Sequence, residues 1–196
     1  MDENRVREWI LECTTKRFLS EGFGGFTMDV IARDSGVSKK TLYRLIPSKK
    51  KLVFMVLEGQ AAAIEEKQSG ILADSSMEFP ARLEALFRVV YEFYSRISEK
   101  SLRDITKISP EVWEMVRRRR SATLDGILKL LEEGQRDGFI RSDITPGFLG
   151  RYFHSTIDSL LSPQTMMELD MTPRKLLDTT LSILYTGIQR QPGGIG

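Results

Sequence analysis

The chain has 196 residues, enough for one ordinary domain or a small domain joined to a larger one, and its 41% apolar content supports a buried core. The formal net charge is only +2, but it is uneven: residues 1–52 hold 11 Lys/Arg against 7 Asp/Glu, while residues 53–196 hold 18 against 20. No apolar run approaches the ~20 residues of a membrane span, the N-terminus has no signal-peptide apolar region, and one cysteine excludes an internal disulfide, so a cytoplasmic protein without a membrane partner is expected.

Helical periodicity dominates, and no alternating strand pattern is evident. The first predicted helix covers about residues 4–21, with Val6, Ile10, Cys13, Arg17 and Phe18 on or near one stripe, Trp9 and Leu11 widening it, and Gly22 as its stop. Cys13 reads as a small buried apolar residue. Thr27 is the expected N-cap of a second helix that carries Asp29 in its first turn. Gly36 ends it, because positive φ is cheap only for glycine. Ser38 caps a third helix, about 38–45, and Pro47 stops it by forcing Ile46 extended.

A fourth helix is predicted from Ser48 to about Gln68, followed by a polar connector over 69–80. A fifth covers about 80–97 and a short sixth about 99–107. Ser109-Pro110, Thr145-Pro146 and Thr172-Pro173 each place a hydroxyl cap before proline, a strong helix opening. They predict helices at about 110–137, 146–161 and 173–190, with Gly138 closing the first and a flexible tail at 191–196. The total is about nine helices in an all-α fold.

Two short helices joined through Gly36 suit a helix-turn-helix, whose second helix enters the DNA major groove. Ile31, Val37, Leu42 and Leu45 would form its miniature core, with small Ala32 where the helices cross. Thr27, Ser38, Thr41 and Tyr43 offer hydroxyl donors, and Lys39, Lys40 and Arg44 offer charge, a combination suited to phosphate and base-edge contacts. Residues 33–51 hold seven basic side chains and one acid. Lys49, Lys50 and Lys51 open the fourth helix, where cations oppose the helix dipole unless a polyanion arrives. The plainer alternative is a solvated basic helix pair.

The segment GVSKKTLYRLIPSKKKL, residues 36–52, resembles the DNA-binding segment of the TetR family of bacterial transcriptional regulators, whose pattern runs approximately GVSxGTLYxYFxSKExL. Gly36, Val37, Ser38, Thr41, Leu42, Tyr43, Ser48, Lys49 and Leu52 match it. Lys40, Leu45-Ile46, Lys50 and Lys51 depart from it, which bears on operator preference and phosphate contacts. The resemblance implies an N-terminal helix-turn-helix domain over residues 1–48 and a larger effector-binding and dimerisation domain over 49–190. It implies a homodimer on a palindromic double-stranded operator, by default a repressor released by a small apolar or amphipathic effector. Thr27, Tyr43 and Lys49 would meet phosphates; Lys39, Lys40 and Thr41 would lie near bases; Ser38 and Arg44 complete the expected DNA-binding set.

The helices at 146–161 and 173–190 are apolar beyond one narrow stripe, so each should be buried on more than one side. Phe148, Tyr152, Phe153, Ile157, Leu177, Leu181, Leu184 and Tyr185 are the expected dimer interface. Phe87, Tyr91, Tyr94, Trp113, Val116, Leu124 and Leu128, with Met55 from the fourth helix, are candidates to line an effector cavity, although aromatics at helical spacing also make plain core. Val56 and Ile64 would face the same space. Arg117 to Arg120 point in four directions and read as a solvated face, as do Glu65 and Glu66. One His and one Cys build no common metal site, and no nucleophile motif or phosphate-binding glycine loop is present, so no enzyme, cofactor or metal is expected. The competing function is a helical ligand-binding or adaptor protein without a DNA role.

Overall fold

The computed structural model describes residues 2–96, 98, 100, 114, 115, 118, 119, 124–160, 162, 165 and 168–189. Its regular elements are α1 (Glu3–Glu21), α2 (Met28–Asp34), α3 (Lys39–Leu45), α4 (Lys49–Ala73), α5 (Phe79–Ser95), α6 (Leu124–Arg136), α7 (Pro146–Leu160) and α8 (Pro173–Ile188), with one 3₁₀ turn at Phe23–Gly25. The fold is all-α, and the described residues add only an isolated bridge between Ile140 and Gln189. Of the expected helix at 99–107 only residue 100 is described, of the first half of that at 110–137 only residues 114, 115, 118 and 119, and the tail lies outside the described residues.

The chain forms two compact units, one of Met1–Ala62 with Arg96–Val116 and one of Ala63–Ser95 with Arg117–Gly196. In the first, α1 buries Val6, Ile10, Thr14 and Phe18, a strict four-residue step. These meet Phe26, Met28, Ile31, Leu42 and Ile46, and then Leu52, Val53, Val56 and Leu57 of α4. Thr14, not Cys13, holds the buried position. Its hydroxyl donates to the Ile10 carbonyl at 2.7 Å, which lets a polar side chain be buried without an orphaned donor. Cys13 is half-buried, and burial pushes its thiol pKa up. Trp9 does not widen the core stripe: it is 46% exposed, and its indole N–H donates to the Ser35 carbonyl at 3.1 Å.

In the second unit Phe79, Leu83 and Leu86 of α5 pack with Leu130 and Leu131 of α6, Leu149 and Phe153 of α7, and Leu184 and Ile188 of α8. The Phe79 ring runs so close to α6 that a Cβ at Gly134 would lie 2.5 Å from it. Gly138, at φ +80°, turns the chain after α6, and the N–H groups of Phe139 and Ile140 both donate to the Gly134 carbonyl. Thr172 caps α8 as expected, accepting from the Lys175 N–H.

Helix α4 continues to Ala73, past the predicted end near Gln68. Ile71 and Leu72 pack against the second core there, and that burial offsets the poor helix propensity of Ser69 and Gly70. Glu65 is not simply solvated, since Arg119 donates to it at 2.8 Å with both side chains about one-third exposed.

Candidate nucleic-acid interface

Helices α2 and α3 are held together by Ile31 and Leu42, neither of which retains any exposure. Thr27 opens α2, its hydroxyl accepting from the Val30 N–H at 3.3 Å. The exit is a Schellman turn: the Val37 N–H donates to the Ala32 carbonyl, the Gly36 N–H donates to the Arg33 carbonyl, and Gly36 sits at φ +67°. A Cβ at Gly36 would meet nothing, so glycine is needed there for backbone conformation and not for space. Ser38 then caps α3, accepting from the Thr41 N–H at 3.0 Å and sharing a 2.9 Å hydroxyl contact with Thr41. Ser38→Ala should therefore cost about 1 kcal/mol of stability, read as a lower urea midpoint; an unchanged midpoint would show that α3 does not depend on this cap.

This scaffold leaves Thr27, Ser38, Lys39, Lys40, Tyr43 and Arg44 exposed, with Thr41 half-buried. Tyr43 is 46% exposed, high for a large aromatic side chain. Two of the cations are already engaged. The Lys39 ammonium lies 2.6 Å from an Asp29 carboxylate oxygen, and the Arg44 guanidinium is hydrogen-bonded to Glu3. That hydrogen bond holds the Glu3 carboxyl below its ordinary pKa range.

Lys49 is half-buried. Its ammonium donates to the Phe26 carbonyl and sits 4.5 Å and 4.6 Å from the Phe23 and Phe26 ring centres. It thus ties the start of α4 to the segment before α2. Lys49→Ala is expected to lower stability by about 1 kcal/mol through the lost cation–π and hydrogen-bond contacts. If it also meets a phosphate, the salt slope of DNA binding falls by about 1. An unchanged slope would confine Lys49 to the structural tie.

Glu3, Phe23 and Phe26 did not stand out in the sequence as part of this site, and Asp29 read only as a first-turn charge. The pairings join residues 10 to 41 positions apart, a separation that no local pattern reports.

Met55 and Val56 pack on the core of the first unit, where α4 presents Leu52, Val53 and Val56 to α1–α3. Phe87 packs on the second core, its ring 6.1 Å from that of Phe153. Tyr91 is half-buried with the Arg174 guanidinium 5.6 Å from its ring centre, and Leu128 is half-buried. Trp113, Val116 and the side chains of Tyr94 and Leu124 lie outside the described residues. A cavity of about 230 Å³ lies elsewhere, bounded by Phe79, Leu83, Phe139, Ile140 and Tyr185, and no expected effector residue lines it.

The expected interface residues divide. Phe153, Leu177 and Leu184 are buried within their own unit, which removes them from any free face. Phe148, Tyr152 and Tyr185 are 59%, 47% and 38% exposed, and Ile183 beside them in sequence is 64% exposed. The Phe148 and Tyr152 rings stack at 6.0 Å. Leu181 is half-buried, and the Ile157 side chain lies outside the described residues. Among the described residues no cluster of His, Cys, Asp or Glu could hold a metal ion, and no helix is long and apolar enough to cross a membrane.

A three-helix head with a capped, cationic second helix of a helix-turn-helix defines a transcriptional regulator of the helix-turn-helix class. Residues 10–56 match the family described as bacterial regulatory proteins, tetR family. The chain is 24% identical over 187 residues to the HTH-type transcriptional regulator YvaF of Bacillus subtilis (strain 168), covering 91% of this chain and 93% of that one. It is 24% identical over 192 residues to the HTH-type transcriptional repressor DhaR of Mycobacterium sp. (strain GP1), covering 96% and 94%. Its fold is similar to that of the regulatory protein TetR from Rhodobacter sphaeroides, with a TM-score of 0.70 and 14% identity over 93% of this chain and 98% of that one. The family is one of transcriptional regulators, not enzymes.

Proposed function

We propose that this regulator is a repressor that binds a palindromic operator as a homodimer and leaves it when a small apolar or amphipathic molecule occupies its helical body. The observation that carries the reading is the outward face of α3, where Lys39, Lys40, Tyr43 and Arg44 stand exposed over a fully buried Leu42. Long cations and hydroxyls on one short helix suit a phosphate and base-edge surface. In this reading the head over residues 1–48 holds the DNA contacts. Thr27 and Tyr43, together with Lys49, meet phosphates. Lys39, Lys40 and Thr41 approach bases, flanked by Ser38 and Arg44. The body over 49–190 carries the effector and the partner protomer. One helix of this length reads few base pairs, so a two-fold pair is the economical way to selectivity. Naming of the relative DhaR as a repressor supports the sign of the effect, and the cytoplasm is the compartment in which such a protein would act.

The test is a gel shift at low salt with duplex from upstream of the protein's own gene, against a scrambled duplex of equal length. Preferential retardation of the first, weakening as salt rises, is expected. Retardation of neither would move the reading to a helical ligand-binding or adaptor protein.

A further inference from the structure

We propose that Glu3 and Asp29 act as internal phosphate mimics: in the DNA-free protein they hold Arg44 and Lys39 of the reading helix, and by competing with phosphates they temper its affinity for duplex DNA. The inference rests on the DNA-binding reading and adds two affinity-tempering acids to it.

The geometry is that of a shared cationic face. Asp29 comes from α2 and Glu3 from α1, yet each carboxylate lies on a cation of α3, with the Lys39–Asp29 contact at 2.6 Å. All four side chains are more than half exposed, at 64% and 56% for Lys39 and Asp29 and 56% and 60% for Arg44 and Glu3. A phosphate can therefore reach the same cations without disturbing the core. A carboxylate presents a guanidinium with the same oxygen acceptors as a phosphate. Glu3 also lies in the field of Arg7, whose Nε has no hydrogen-bond partner among the described residues.

The cost falls on any duplex that uses these cations. Binding to unselected duplex is almost wholly electrostatic, so a cation that must first leave its own carboxylate gains little there. On a selected site, base-edge contacts by Lys40 and Thr41 add free energy on top of the same competition. Both acids also sit in the first turns of their helices, where a negative charge is ordinarily favourable. That helix-end role alone would make neutralisation loosen the head and weaken binding; competition makes neutralisation strengthen it. The sign separates the two.

The experiment measures dissociation constants for a random-sequence duplex and for the operator fragment by fluorescence anisotropy, using the full chain and its Glu3→Gln and Asp29→Asn variants. Each variant is expected to bind random duplex about two- to fivefold more tightly, the range of an exposed ion pair, with a comparable gain on the operator. In an Arg44→Ala background Glu3→Gln should have no further effect, since the competing pair is already gone. Glu12→Gln removes a carboxylate paired with Lys16 elsewhere on α1 and reports the general effect of one lost negative charge. Random-duplex affinity that is lowered, or raised no more than by Glu12→Gln, overturns the proposal. If no form of the protein, the unaltered chain included, binds any duplex at low salt, the DNA-binding reading itself falls and takes this inference with it.

Discussion

Leu42→Ala is expected to destabilise the head by 2–5 kcal/mol and to abolish operator binding at ordinary temperatures. Leu42 has no exposure, and it packs within the same cluster as Ile10, Phe18, Ile31 and Ile46. The lost atoms leave a cavity that short helices tied by a Schellman turn and two hydroxyl caps cannot easily collapse around. Total stabilities of domains are only about 5–15 kcal/mol, so one such cavity is a large fraction of the whole. Urea melts and a gel shift check it together. Tyr43→Ala, one residue along and 46% exposed, is the companion variant. It should change stability by no more than about 0.5 kcal/mol while still weakening DNA binding. A Leu42→Ala protein with the parental midpoint would show that α3 is not packed through Leu42.

What could be read from sequence follows the range of the interactions concerned. The caps at Thr27, Ser38 and Thr172 and the turn at Gly36 were legible because each depends on two to five neighbouring residues. The continuation of α4 through Ser69 and Gly70 was not, since Ile71 and Leu72 are held helical by a core assembled from α5 to α8. Cys13 and Thr14 show the same limit at one-residue scale. Both are small, and hydropathy favours the cysteine, yet the step from Ile10 to Phe18 and a hydroxyl that can bond to its own helix place the threonine inside.

The candidate site divides in the same way. The outward cations and Tyr43 were legible from the spacing of Leu42 and Leu45, which turns the intervening positions to solvent. Their partners were not: Glu3 lies 41 residues before Arg44, and only the shared core of the head brings them together. A nearly continuous apolar surface on α7 and α8 likewise does not tell which residues face their own core. Phe153 and Leu184 turned inward while Phe148 and Ile183 stayed out.

That division sharpens the dimer proposal into a test with a large expected effect. Ile183→Glu places a carboxylate on the outward apolar face, at a side chain 64% exposed in the single protomer. Folding of one chain should be nearly unaffected, because exposed substitutions of this kind stay within about 0.5 kcal/mol. Pairing should suffer severely, since two-fold symmetry brings the introduced carboxylate and its copy into one water-excluded interface without partners. Loss of the pair turns one bivalent binding event into two independent half-site events, which lowers operator affinity by a factor on the order of 100 or more. Sedimentation velocity should report a monomer, circular dichroism an unchanged helical content, and anisotropy the loss of operator affinity. An Ile183→Glu protein that remains dimeric would move the interface off this face. A monomer that keeps full operator affinity would remove the need for a dimer altogether, because a single α3 would then be supplying selectivity that its few outward side chains are too short a surface to provide.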